Sequence, residues 1–190
     1  MSAVAMSAAR ADSPALETGF VAVTDPAIVQ AALAVLHCEA LYLDTQRWDD
    51  WLALFTEDCC FWMPAWTDDH RLGASPDSEL SLMYCSARAG LQDRVWRVRS
   101  GLSVASTPLP RTSHQVSASV VEGVADQADE LRVHSSWSCH IVRLKQRSQH
   151  VFFGRYLHRL RRVDGRWLIA GKSIVLMNDV IPTMLDFYCV

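Results

Sequence analysis

The sequence predicts a single α+β domain, and three observations carry that expectation. Helical periodicity is concentrated in the first half of the chain, long runs of period-two alternation fill the second half, and a single Asp-Gly step joins the last two of those runs. At 190 residues, half of them hydrophobic, the chain is long enough to bury one real core and too apolar to be disordered.

The first element begins at Thr24-Asp25-Pro26, where Asp25 can cap free amides and Pro26 suits the first helical position. Ile28, Ala32, Val35, Leu36, Ala40 and Leu43 then recur at helical spacing, with Glu39 near the same apolar face. A second helix is expected over Trp48 to Phe55, ending at the acidic turn Glu57-Asp58. Cys59 to Met63 reads as a strand closed by Pro64, and 65–79 as a loop around Gly73 and Pro76. Leu80 to Cys85 reads as a short strand. Ala87, Leu91, Val95 and Val98 mark a third helix that Gly101 is placed to end, before a linker over Ser103 to Pro110.

The remainder reads as sheet. His114 to Val121 alternates, and Leu131, Val133, Ser135, Trp137, Cys139 and Ile141 face one way while Arg132, His134, Ser136, Ser138 and His140 face the other. Val151 to Val163 and Trp167 to Met177 form two more strands. Asp164-Gly165 between them predicts a type I′ hairpin, because both central positions of that turn favour positive φ. Residues 1–23, rich in Ala and Ser with little periodicity, are expected to be a loose arm, leaving 24–190 as the domain.

Charge is unevenly divided: residues 1–93 hold 14 of the 21 acidic side chains and 4 of the 18 basic ones. Two readings stand, oppositely charged faces that dock copies or partners, or strands that happen to be rich in Arg. No basic patch followed by an apolar run marks a leader, and no stretch approaches the ~18 apolar residues of a membrane span. A cytoplasmic chain with reduced thiols is the expectation. Adjacent Cys59 and Cys60 would point to opposite faces of a strand and so would not pair with each other.

The residues that carry chemistry are sparse. Cys139 and His140 are adjacent in a strand and diverge, with no second Cys–His pair, and zinc spacings are absent. His134 and His140 share a face but sit about 20 Å apart at the usual rise per residue. No phosphate loop or nucleophile elbow occurs, and nothing points to nucleic acid. Catalytic, cofactor-binding and metal residues are therefore expected to be none. General acid–base chemistry stays open: Glu39 or Asp44, half buried against a curved sheet, would have the raised pKa of a base. The alternative is that either carboxylate pairs with a strand arginine such as Arg155 or Arg159. Of the seven tryptophans, Trp62 and Trp66 flank Pro64, and Trp96 lies off its helix's apolar stripe between Arg94 and Arg97. Trp62, Trp66, Arg94, Trp96 and Arg97 are the candidate interface residues, Trp beside Arg being the composition of interface anchors.

A family likeness joins these readings. The run Glu39-Ala40-Leu41-Tyr42-Leu43-Asp44, then Trp48, Trp51-Leu52-Ala53-Leu54-Phe55, Asp58 and Phe61-Trp62-Met63-Pro64, resembles the opening of the small (β) subunits of aromatic ring-hydroxylating dioxygenases. Asp93-Arg94-Val95, Arg97 and Arg111-Thr112-Ser113-His114-Gln115-Val116-Ser117 resemble the middle of that family. Tyr156-Leu157-His158-Arg159-Leu160 and Asp164-Gly165-Arg166-Trp167-Leu168-Ile169 resemble its last hairpin. The resemblance implies a cone: a curved antiparallel sheet wrapped around N-terminal helices, as in nuclear transport factor 2 and SnoaL-like proteins. It implies a large α subunit carrying a Rieske [2Fe-2S] cluster and mononuclear Fe(II), self-trimerisation within an α3β3 assembly, and electrons from a separate reductase. It carries over no catalytic residue. Asp77 to Asp93 and Ser106 to Arg111 look closest to members acting on benzoate-like acids such as salicylate or anthranilate. The same cone also hosts stand-alone isomerases, dehydratases and cyclases with a carboxylate base inside, which is the competing expectation.

Overall fold

The computed structural model describes residues 21–68, 70–101, 107–125 and 127–190. Helix α1 runs Pro26–Asp44, α2 Trp48–Leu52 and α3 Arg88–Arg99. The strands are β1 Phe55–Pro64, β2 Ser81–Cys85, β3 Arg111–Val124, β4 Gln127–Arg143, β5 Ser148–Val163 and β6 Arg166–Leu176. They form one curved sheet in the order β2-β1-β6-β5-β4-β3. The sheet is mixed rather than wholly antiparallel, because β1 enters beside β6 in parallel. That pairing is non-local, and no sequence period reports it.

Asp25 caps α1 through a hydrogen bond from the Ala27 amide at 2.8 Å. Ala32, Leu36, Glu39 and Leu43 form its buried stripe. By length and composition α1 could also cross a membrane, but here this stripe lies in the core and delivers a carboxylate to the sheet. α2 is shorter than expected. Phe55 leaves the helix to pair with Ile169, so β1 starts four residues before Cys59 and runs through Glu57-Asp58 as an irregular, bulged stretch rather than a turn. Those two acids are neutralised from neighbouring elements, Glu57 by Arg88 and Asp58 by Arg161.

The inner face of the sheet, with α1 to α3 against it, holds the core: Trp51, Phe55, Phe61, Leu91, Trp137, Phe152 and Ile174 are all buried. Phe187 also enters it, stacked on Trp51 at 4.8 Å between ring centroids and edge-on to Trp48 at 5.4 Å. A 3₁₀ turn over Phe187–Cys189 positions it; the alternation that marked the strands ends before this segment and gave no sign of it. Cys59 lies in this core, whereas Cys60 is buried outside it, so the two thiols face apart as their adjacency required. Residues 1–20 of the expected arm and 103–106 of the expected linker lie outside the described residues. Residues 21–23 extend the edge of β3, with Val23 N donating to Val121 O at 2.9 Å and Gly123 N to Val21 O at 3.2 Å.

The β5–β6 hairpin closes as expected. Val163 pairs with Arg166, and Asp164 and Gly165 have φ of 49° and 77°. A Gly165→Val substitution is expected to lower stability by about 1–3 kcal/mol, since a β-branched residue is strained there. An unchanged denaturant midpoint would contradict that account of the turn.

Candidate functional site

Inside the cone, α1 is fastened to the sheet by two carboxylates. Glu39 Oε1 accepts from Lys172 Nζ and Glu39 Oε2 from His158 Nε2, both at 2.9 Å. His158 and Lys172 are directly opposed on β5 and β6, so the register that pairs these strands also builds the two-pronged clamp. All three groups are almost wholly buried. Burial pushes the Glu39 carboxyl up, but Lys172 and His158 outweigh it and hold the pKa at about 2. Burial pulls His158 down against the opposing pull of Glu39. It does the same to Lys172. A neutral imidazole donating from Nε2 fits the buried Nδ1, which has no partner: an orphaned acceptor costs less than an orphaned cationic donor. The Lys172 ammonium also lies 4.1 Å from the Tyr156 ring centroid, and Tyr156 stacks on Trp137 at 4.9 Å.

Nearer the end of α1, Asp44 Oδ2 accepts the His114 backbone amide at 2.8 Å and Oδ1 meets His114 Nδ1 at 2.7 Å. Burial raises the Asp44 carboxyl, and the His114 hydrogen bonds bring it below its ordinary value.

Both carboxylates therefore have partners, though not the ones expected. Arg155 and Arg159 occupy the outer face of the sheet, and Arg159 reaches Glu130 at 3.9 Å. Alternation along β5 decides this: Tyr156, His158 and Leu160 point inward, and the arginines between them point out. A carboxylate held at about 2 with both oxygens engaged is ionised but not available as a proton acceptor. Glu39 is thus built as a structural clamp between α1 and the sheet rather than as a free base. The signal was in the sequence, in the phase of His158 relative to Tyr156 and Leu160.

The five candidate interface residues separate into three environments. Trp62 is wholly buried, its indole N–H donating to Ser81 Oγ at 2.9 Å, so it is unavailable to a partner. Arg94 and Arg97 approach the buried Asp186 at 3.1 and 3.7 Å and so anchor the segment that carries Phe187. Trp96 is 66% exposed, and Trp66 is 36% exposed with its N–H given to Leu176 O at 2.7 Å. These two tryptophans are the ones that present surface.

Among the described residues no group of three or more His, Cys, Asp or Glu converges as a metal site would require. The six cysteines are free. Burial raises the Cys59 and Cys189 thiols to about 12 and Cys139 further, which keeps them protonated rather than thiolate ligands. These residues fit neither an iron–sulfur cluster nor a mononuclear iron.

A curved sheet with a clamped helix inside defines a fold of the cone class. Residues 38–183 match the family of ring-hydroxylating β subunits, and the chain belongs to that family. It is 35% identical over 159 residues to the β subunit of toluate 1,2-dioxygenase from Pseudomonas putida, covering 84% of this chain and 96% of that one. It is 36% identical over 153 residues to the small subunit of anthranilate 1,2-dioxygenase from Acinetobacter baylyi, covering 80% and 91%. Among solved structures, the β subunit of benzoate 1,2-dioxygenase from Burkholderia mallei superposes with a TM-score of 0.68 at 31% identity, covering 90% of this chain and all of that one. The protein is the β subunit of an aromatic ring-hydroxylating dioxygenase, the non-catalytic partner of an α subunit that carries the Rieske and iron centres.

Proposed function

We propose that this β subunit forms a trimeric base for three α subunits in the cytoplasm, in a complex fed by a separate reductase and acting on benzoate-like aromatic acids. The observation that carries the substrate class is the likeness to the toluate, anthranilate and benzoate enzymes at 31–36% identity over most of the chain. The clamped interior supports a purely structural role for the subunit. Trp96 and Trp66, with Arg94 and Arg97 beside the former, are the surface through which it meets its partners. The division of charge supports a head-to-tail contact in which the acidic half of one copy meets the basic half of the next, a geometry that closes into a small ring.

Co-expression with the large subunit tests this reading. A mass by light scattering equal to three of each chain is expected, with iron following the large subunit, and with turnover of benzoate, anthranilate or salicylate exceeding that of benzene. Trp96→Ala is expected to weaken assembly by about 2 kcal/mol, roughly thirtyfold in affinity. A one-to-one complex, or turnover of benzene alone, would refute the corresponding part of the proposal.

A further inference from the structure

The outer face of the sheet carries a feature that the scaffold role does not use. Register places Ser117, Ser136, Arg155 and Val175 in one cross-strand row, and Val120, His134, Leu157 and Ser173 in the next. Between Ser117 and Val120 the β3–β4 ladder is bulged, and Ala118 sits at φ 49°. The short side chains of Ser136 and Ala118, set among larger neighbours, leave a cleft of about 150 Å³ there. Leu157 and Val175, both buried, give it an apolar lining, and Arg155, His134 and Ser136 give it a polar one.

Arg155 is the unusual member. Further along the same face of β5, Arg159 is paired with Glu130 and Arg161 with Asp58. Arg155 is exposed and faces only Ser136 and Val175 in register. It has neither a hydrogen bond nor an ion pair among the described residues. A guanidinium without a counter-ion at the edge of an apolar hollow matches a ligand with a carboxylate at one end and a hydrocarbon body at the other. Size narrows the body: a cavity of about 150 Å³ accommodates a single benzene ring.

We propose that this cleft binds a free monocyclic aromatic carboxylate, its ring on Leu157 and Val175 and its carboxylate on Arg155, with the Ser136 hydroxyl beside it. The site is lined wholly by residues of the β chain. It rests on the proposed substrate class only for the choice of acids to try, since the recognition argument is made from the cleft.

The test is titration of the purified full-length chain with 4-fluorobenzoate, followed by fluorine NMR. Saturable binding is expected, with none for 4-fluorobenzamide, which keeps the ring and loses the charge. Arg155→Gln, at an exposed position, is expected to weaken binding roughly ten- to a hundredfold, the effect of losing a charge-assisted hydrogen bond. Ser136→Phe, which fills the cleft from another exposed position, should abolish it. Equal binding of acid and amide, or affinities unchanged in both variants, would overturn the assignment. The same comparison of wild type and Arg155→Gln in the assembled complex separates two sources of carboxylate. A difference that persists supports a free acid; one that vanishes means that a carboxylate of the partner fills the cleft, and the proposal falls. Failure to assemble counts against the trimeric complex alone, because binding to the isolated chain is measured independently of it.

Discussion

Replacing Glu39 with alanine is expected to destabilise the fold by about 3–5 kcal/mol, because it leaves Lys172 buried without a counter-charge. Lys172 is 2% exposed and Glu39 is its only anionic partner within ion-pairing distance among the described residues. Glu39→Gln keeps the shape and a hydrogen-bond acceptor but not the charge, and should lie between wild type and alanine. The informative control is the double variant Glu39→Leu/Lys172→Met. Removing both charges and retaining the volume is expected to recover much of the loss, since a buried ion pair contributes little net stability relative to a packed apolar pair. Urea midpoints of the four proteins decide the matter; a Glu39→Ala protein as stable as wild type would show that water already reaches the ammonium.

The same clamp sets the direction of the response to acid. His158 and Glu39 both have folded pKa values below their ordinary ones, 6.5 and 4.5 respectively. For each, the unfolded chain binds the proton first, so stability is full above the ordinary value and is lost as pH falls through the folded one. The His158 contribution therefore begins to disappear below pH 6.5, and the Glu39 contribution between 4.5 and about 2. In the double variant the Glu39 step should be missing and the His158 step larger, because Glu39 no longer holds that imidazole's pKa up against burial.

Gly154→Ala is the second large effect. A Cβ built at Gly154 would stand 1.9 Å from Val175 O, a backbone atom of the neighbouring strand that cannot rotate away. Gly154 pairs with both Trp137 and Leu176, so relief requires the β5–β6 ladder to part where Met177 N donates to Phe153 O at 2.9 Å. A loss of about 3 kcal/mol, the upper end for overpacking, is expected. Gly123→Ala is the matched control, since its Cβ would meet only Val23 Cγ2 at 3.7 Å. Equal midpoints for the two variants would mean that the strands adjust freely.

The sequence by itself determined the order of elements, the inward and outward faces of β4 and the closing hairpin, because each rests on short-range physics. A period of two, a cap at Asp25 and positive φ at Asp164-Gly165 are properties of neighbours in the chain. It also carried the family, through the order and spacing of motifs between Glu39 and Ile169. What only the tertiary structure decided involves pairs far apart in sequence. The parallel entry of β1 beside β6 drew Phe55 out of the expected helix, and the arginines expected to neutralise Glu39 turned outward. His158 and Lys172, separated from Glu39 by more than a hundred residues, met it instead because the β5–β6 register places them together under α1. Trp62, expected at the surface beside Pro64, lies under its neighbours, since burial depends on what the rest of the chain lays over a strand face. Local patterning fixes which way a side chain points; only the assembled sheet fixes what it meets there.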